Sequence, residues 1–211
     1  NELLVYDFTT PSSPQYITSI PLEGWTSWGD LVLRDNYLYV CNGSRGLEIF
    51  DITNILNPVQ IAYYSFDNRP GRAYNVAFLG DTLFLGAREG GLKVFDISDV
   101  ANLTQVDSFY LDDNNDNYPD CFIDDVEVVN GKAVIGDRCG NIMVLDFSGD
   151  AVSVVSQTNT GQWNWRMKVE GNTLLSSHWG NGISSIDLSN LSSVSVQDSL
   201  EFSGNVYDFD I

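Results

Sequence analysis

One pattern recurs five times in this chain: an apolar strand, a closing aspartate, an aliphatic residue or Phe, then Ser or Thr. Full copies run Gly46–Thr53, Gly91–Ser98, Asn141–Ser148 and Gly182–Ser189, with a shorter one at Leu3–Thr9. The aspartates are Asp7, Asp51, Asp96, Asp146 and Asp187, at steps of 44, 45, 50 and 41. Self-similarity at such a period identifies an array of one supersecondary unit and constrains the fold more than any local propensity does.

The unit can be read in full. Asp30-Leu31-Val32-Leu33, a turn at Arg34-Asp35-Asn36, and Tyr37-Leu38-Tyr39-Val40 read as a hairpin; Gly46–Thr53, Asn57-Pro58 and Val59–Tyr64 read as a second. Three further units align on it without a gap, with first turns at Gly80-Asp81, Asn130-Gly131 and Gly171-Asn172. Four short strands per unit predict an all-β protein, a β-propeller of four-stranded blades in which each blade buries its faces against its neighbours. A β-sandwich would not require this period. The units are placed at approximately 25–70, 71–120, 121–162 and 163–204, in a single domain over 1–211.

Residues 1–24 and 205–211 are expected to form a partial closing blade. Asn205–Ile211 matches an innermost strand, while Leu3–Phe8 and Gln15–Ile20 match the third and outer strands. Aligning Ile211 with Phe78 and Leu3 with Leu92 leaves 13 positions, of which Asn1 and Glu2 fill two, so about eleven residues of a second strand are lacking. A five-bladed ring with its last blade shared between the chain ends is the expectation; a piece of a larger protein is the alternative. The exposed edge could be completed by a strand of another chain.

The repeated core, ending in Asp, an aliphatic residue, Ser or Thr and then Asn-Pro, resembles the LVIVD-repeat family. Gly46–Pro58 and Gly91–Leu103 are the best copies, and Leu3–Pro14 follows. The unit at Gly182 departs, with Ser184-Ser185 at apolar positions, and the unit at Asn141 lacks the Gly and the Pro. The resemblance implies a secreted or cell-surface propeller of a bacterium or archaeon and brings no shared catalytic motif.

Charge narrows the partners. Twenty-nine acidic against ten basic side chains give a net charge of -19, which repels nucleic acid and anionic lipid. No run of about 18 apolar residues offers a membrane span. The chain opens at Asn1 without a charged-then-apolar leader, so any signal peptide is expected to be removed or to lie outside the sequence. Sequons at Asn42, Asn102 and Asn190 are glycosylation candidates, although unmodified turn asparagines are the plainer explanation.

Several constellations could carry chemistry. In a propeller the outer-to-inner connections and the loops between second and third strands share a face. That places Trp25, Trp28, Trp163, Trp165 and Trp179 together, beside Arg45, Arg88, Arg138 and His178. Trp and Arg suit a protein partner or a sugar ring, or the tryptophans plug the ring between blades.

Innermost strands begin with Asp30, Asn75, Asp125, Arg166 and Asp208. Their carboxylates could serve glycoside hydrolysis, but none of the five is Glu, and a solvated channel partly neutralised by Arg166 is the plainer expectation. Oxygen ligands at Asp112, Asn114, Asp116, Tyr118 and Asp120 follow the first half of a calcium loop, so Ca2+ is a candidate cofactor. Asn117 stands in place of the turn glycine and Ile123 in place of the bidentate Glu. Cys121 and Cys139 are expected to pair, leaving Cys41 a buried thiol. The repeated aspartates are read as Asx turns. With His178 the only histidine, triad and His-metal chemistry lack material.

The expectation is an extracellular, non-enzymatic protein-interaction or structural module. The alternative is a carbohydrate-binding or glycoside-hydrolysing propeller using the tryptophan face and Asp30, Asp125 and Asp208.

Overall fold

The computed structural model describes residues 1–24, 29–66, 71–111, 121–148, 152–180 and 182–211. Its regular elements are all strands. β1 (Glu2–Asp7) and β2 (Gln15–Pro21) form a two-stranded sheet. Four antiparallel four-stranded sheets follow in chain order. The first blade is β3 (Leu31–Arg34), β4 (Tyr37–Cys41), β5 (Leu47–Asp51) and β6 (Val59–Tyr64). The second is β7 (Asn75–Leu79), β8 (Thr82–Gly86), β9 (Leu92–Asp96) and β10 (Thr104–Phe109). β11 (Ile123–Val129), β12 (Lys132–Asp137), β13 (Asn141–Asp146) and β14 (Ser153–Asn159) make the third. β15 (Asn164–Glu170), β16 (Thr173–His178), β17 (Ile183–Asp187) and β18 (Ser195–Leu200) make the fourth. This is a β-propeller, its blades meandering from inner to outer strand.

The repeat acts through backbone geometry. Each first hairpin opens on a positive-φ residue, Asp35 at 54°, Gly80 at 55°, Asn130 at 47° and Gly171 at 58°, as tight hairpin turns require. All five repeated aspartates accept a hydrogen bond at Oδ1 from the N–H two residues on, at 2.7 to 2.9 Å. These bonds close Asx turns; the Thr53 hydroxyl and N–H hold the Asp51 carboxyl below the usual range, and backbone N–H groups chiefly do so for Asp96, Asp146 and Asp187, that of Asp146 at about 2 with help from Lys132. The repeat glycine is also dictated. A Cβ on Gly46, Gly91 or Gly182 would lie 1.9, 2.4 or 1.9 Å from an outer-strand carbonyl oxygen, and each has positive φ.

Apolar clusters sit between sheets. Tyr39, Leu47 and Ile49 meet Leu83 and Leu85 between the first and second blades. Phe84 and Val94 meet Val126 and Ile135 between the second and third, and Val134 and Ile142 meet Met167 and Leu174 between the third and fourth. Ile20 and Leu22, with Leu3 and Val5, pack on Val40 and Phe50 and so seat β1 and β2 against the first blade. Among the described residues no such cluster joins the fourth blade to β1 and β2.

Residues 205–211, expected as an innermost strand, are not in strand pairing. They still take the inner position beside the fourth blade: Val206 N–H donates to His178 O at 3.3 Å, and Tyr207 packs on Trp165 and Trp179. The physical reason is that a strand needs a ladder partner, and no second strand lies beside this segment among the described residues.

Candidate functional site

Loops between second and third strands carry the candidate site. In the first, second and fourth blades a tight loop is closed by one backbone bond: Asn42 N–H to Gly46 O, Ala87 N–H to Gly91 O, and His178 N–H to Gly182 O, at 2.8 to 2.9 Å. In the third blade Asp137 does this work instead. Its Oδ1 accepts from the N–H groups of Cys139 and Asn141, each at 2.8 Å. Segments leading into the first strands run beside these loops, as in the bond from Trp179 N–H to Trp163 O and that from Arg138 N–H to Phe122 O.

On this face arginines alternate with aromatic rings. The Arg138 guanidinium lies 5.2 Å from the Trp163 ring centre, 5.1 Å from Trp165 and 5.5 Å from Phe122. It is held from below by Asp124, which is fully buried and accepts from Arg138 Nε at 2.5 Å and from its terminal nitrogen at 3.3 Å. Burial pushes the Asp124 carboxyl up, and Arg138 draws it back. Arg88 approaches the same carboxylate at 4.0 Å, donates to the Tyr74 hydroxyl at 3.1 Å and lies over the Tyr74 and Phe122 rings. Its φ of 50° is a left-handed conformation that a non-glycine residue holds only at a cost.

Trp165 is buried at the centre and links both arginine groups, meeting Tyr74 edge-on at 6.1 Å and Trp179 at 5.1 Å. Trp163 and Trp179, 6.2 Å apart, are 43% and 36% exposed, so they are the rings offered to a ligand. Trp25 and Trp28 lie outside the described residues. Arg45 stands apart, over Tyr63 and paired with Glu23 at 2.7 Å. His178, under Trp179, is buried, and its Nε2 is 2.8 Å from Ser184 Oγ, which meets Ser199 Oγ. Burial lowers its pKa, so the ring is neutral at neutral pH.

The channel residues converge, but they are engaged. Arg166 lies 3.7 Å from Asp30; burial alone would depress its pKa, and Asp125, Asp30 and Asp208 more than offset this. Asp125 is buried, with Oδ2 accepting from Met167 N–H at 2.6 Å and Oδ1 from Val126 N–H at 2.9 Å. Asn75 Oδ1 accepts from Val126 N–H in the same way at 3.1 Å. Thus a residue near the start of one inner strand, Asn75 or Asp125, fastens the backbone of the next. Burial pushes the Asp125 carboxyl up to about 8. Glu127, two residues along β11, is pushed up to about 7 by burial, with Lys168 opposing. The sequence reading placed no Glu in the channel because it considered only the first position of each strand. Asp124, Tyr74 and Phe122 were missed for a similar reason: each falls beside an aligned position, and only packing reveals its partners.

The remaining candidates are placed as follows. Cys121 and Cys139 form a disulfide with Cα atoms 5.7 Å apart, and Cys41 is a buried thiol whose pKa burial raises. Asp112, Asn114, Asp116, Tyr118 and Asp120 lie outside the described residues. Asn42 is not a glycan acceptor in the fold, because its side chain is 1% exposed and its amide donates to Glu48 Oε1 at 2.8 Å and Glu23 O at 3.0 Å. Asn102 and Asn190 are exposed; the Asn102 amide donates to Asp99 Oδ2 at 2.8 Å, and Asn190 Oδ1 accepts from Ser192 N–H at 3.1 Å.

Comparison with known proteins agrees with this architecture. Residues 27–65 and 70–110 match the LVIVD repeat. No curated protein matches the chain at a significant level. Among solved structures, Sqt1 of Saccharomyces cerevisiae is similar at a TM-score of 0.72 and 13% identity, over all of this chain and 58% of that one. The computationally designed Ika8 protein is similar at 0.65 and 15%, over 93% of this chain and 56% of its own. The chain therefore spans a little over half the length of these structures, and the likeness is one of fold.

Proposed function

As a β-propeller two of whose blades are LVIVD repeats, this chain is, we propose, a non-enzymatic interaction module of an extracellular or cell-surface assembly, gripping a protein partner with its aromatic and arginine face. The observation that carries the reading is the pair Trp163 and Trp179, both exposed yet fixed from beneath by Trp165, Arg138 and buried Asp124. Large rings already ordered before contact lose little freedom on binding, which is what an energetic anchor needs. The Cys121–Cys139 disulfide supports an oxidising compartment. A non-enzymatic role is supported by Asp125, whose oxygens are spent on backbone N–H groups, and by the burial of His178.

The exposed tryptophan faces also favour a second reading, sugar binding. Selection from a displayed peptide library, with a glycan array and a glycoside hydrolase panel alongside, separates the two. Peptides that bind at least tenfold more weakly to Trp163→Ala and Trp179→Ala support the protein-binding role. Glycan binding lost in those variants supports the sugar role, and turnover abolished by Asp30→Asn would overturn the non-enzymatic reading.

A further inference from the structure

A repeat allows one blade to be read against the next. On the face opposite the tryptophans, where first hairpin turns meet the turns that follow third strands, the same cleft opens twice. Between the first and second blades it is lined by Arg34, Tyr37, Tyr39, Asp81, Ile97 and Ser98 and measures about 350 Å3. Between the second and third it is lined by Leu79, Thr82, Phe84, Gly131, Phe147 and Ser148 and measures about 320 Å3. Shifted by the repeat steps of 45 and 50, the two sets coincide position by position. Each volume sits at the low end of small-molecule sites, about 300 to 1,000 Å3.

The backbone is shared and the chemistry is not. Where the second cleft has Leu79, Thr82, Phe84 and Gly131, the first has Arg34, Tyr37, Tyr39 and Asp81, and Asp35 and Asp99 add two further carboxyls to its lining. The fold does not use up these groups. Arg34 lies over the Phe78 ring at 4.9 Å, but its one ion-pair partner among the described residues, Asp35, is 3.9 Å from Nε, too far for a hydrogen bond. Its Nη1 is enclosed without a partner, while 30% of the side chain remains open. Of the three carboxylates, Asp99 alone accepts hydrogen bonds among the described residues, from Ala101 N–H at 3.1 Å and the Asn102 amide at 2.8 Å.

We propose that the cleft between the first and second blades is a saccharide site, in which Arg34 donates to ligand oxygens, Asp81 and Asp99 accept from ligand hydroxyls, and Tyr37 and Tyr39 supply aromatic surface to the apolar side of the ring. The ligand class follows from the mixed demand of the lining. A guanidinium only donates and a carboxylate only accepts, and a hydroxyl group answers both. An ammonium gives Arg34 no acceptor. A phosphate or carboxylate gives the aspartates no donor and meets three negative charges against one positive. Tyrosine joins an apolar body to a polar tip, which suits the two-sided surface of a pyranose. The second cleft, with Leu79 and Gly131 at the corresponding positions, lacks the donor and the carboxylate and serves as an internal control. This inference does not rest on the aromatic and arginine face, which lies on the other side of the blades.

The test is an amide NMR titration of the 211-residue chain with the methyl glycosides of glucose, galactose, mannose and N-acetylglucosamine, with lysine amide and glucose 6-phosphate as charged controls. Expected are saturable shifts with at least one glycoside, centred on residues 34–39, 81 and 97–100, and weaker binding of both controls. Arg34→Leu installs the residue that the next blade carries at that position; it should keep the folded spectrum and bind at least tenfold more weakly, as loss of a charged donor implies. Tyr37→Thr, chosen in the same way, should also bind more weakly and carries the test if Arg34→Leu does not fold. Trp163→Ala should leave binding unchanged. The proposal is overturned if no glycoside gives saturable shifts in this cleft, if the folded variants bind as well as the parent chain, or if lysine amide binds there more tightly than every glycoside. Shifts centred on Trp163 and Trp179 would also overturn it and would belong to the sugar reading of the other face. None of these outcomes bears on binding of a protein partner by that face.

Discussion

At the scale of single residues, the carboxyl groups divide into two populations that respond oppositely to pH. Asp51 is held below its ordinary range by the Thr53 hydroxyl and backbone N–H, and Asp96, Asp146 and Asp187 chiefly by backbone N–H groups, Asp146 at about 2, so what these four contribute is present above the ordinary aspartate range and is lost as pH falls through their folded values. Asp125 is the reverse. Its folded value is about 8, so from about pH 4 upward the unfolded chain releases a proton that the folded chain keeps, and stability falls with rising pH until about 8. Glu127 acts in the same direction up to about 7. His178, lowered by burial, opposes both below the ordinary histidine range, which leaves the interval from about pH 6.5 to 8 to the two carboxyls. We predict that the melting temperature declines by several degrees across that interval, as one proton corresponds to about 1.4 kcal/mol per pH unit. Asp125→Asn keeps an acceptor for Met167 N–H and should flatten the decline. A profile that stays steep in the variant would assign the decline to other groups.

At the scale of the element, what makes a blade is less the apolar run of its third strand than the glycine before it and the aspartate after it. Gly91 has a φ of 75°, and an added Cβ would stand 2.4 Å from Phe109 O on the outer strand. Gly80, at the first hairpin turn, has a φ of 55° with nothing within 4 Å of that position. Gly80→Ala should therefore cost about 1 kcal/mol, the left-handed penalty alone. Gly91→Ala should cost about 3 kcal/mol or more, because the outer strand must also move. Urea unfolding of the two variants measures the difference, and equal costs would show that the close approach is relieved cheaply. Such positions explain why the blades were legible in sequence: Gly, Asp and the turn pairs recur because backbone geometry demands them at each repeat. The aromatic and arginine face was legible only in outline. Loop alternation places Trp163, Trp165 and Trp179 near Arg138, but it cannot show that Trp165 is buried while its neighbours are exposed, or that Asp124 anchors Arg138, since those facts arise from side-chain packing rather than from the repeat. Glu127 lies beyond the first strand positions that the repeat aligns, and the loss of Asn42 as an acceptor depends on its bond to Glu48 within the first blade.

At the scale of the whole molecule, charge and the seating of the two-stranded sheet act on the same balance. The net charge of -19 is repulsive, and the cations that could offset it are largely spent within the fold. Arg138 and Arg88 serve Asp124, Arg166 serves Asp30, Arg45 serves Glu23, and Lys132 serves Asp146. The remaining surface is dominated by carboxylates, and β1 and β2 are seated on the first blade by the smallest of the apolar clusters, so they yield first to that mutual repulsion. Salt should therefore stabilise this protein. Raising NaCl from about 0.01 to 1 M shortens the screening length from about 30 to 3 Å, which weakens repulsion between exposed groups more than it weakens the buried Arg138–Asp124 pair. The expected outcome is a melting temperature that rises with NaCl by several degrees, with the largest gain in hydrogen-exchange protection at Glu2–Asp7. A fall in melting temperature would mean that exposed ion pairs outweigh the repulsion, and a rise without added protection at Glu2–Asp7 would place the strain elsewhere in the ring.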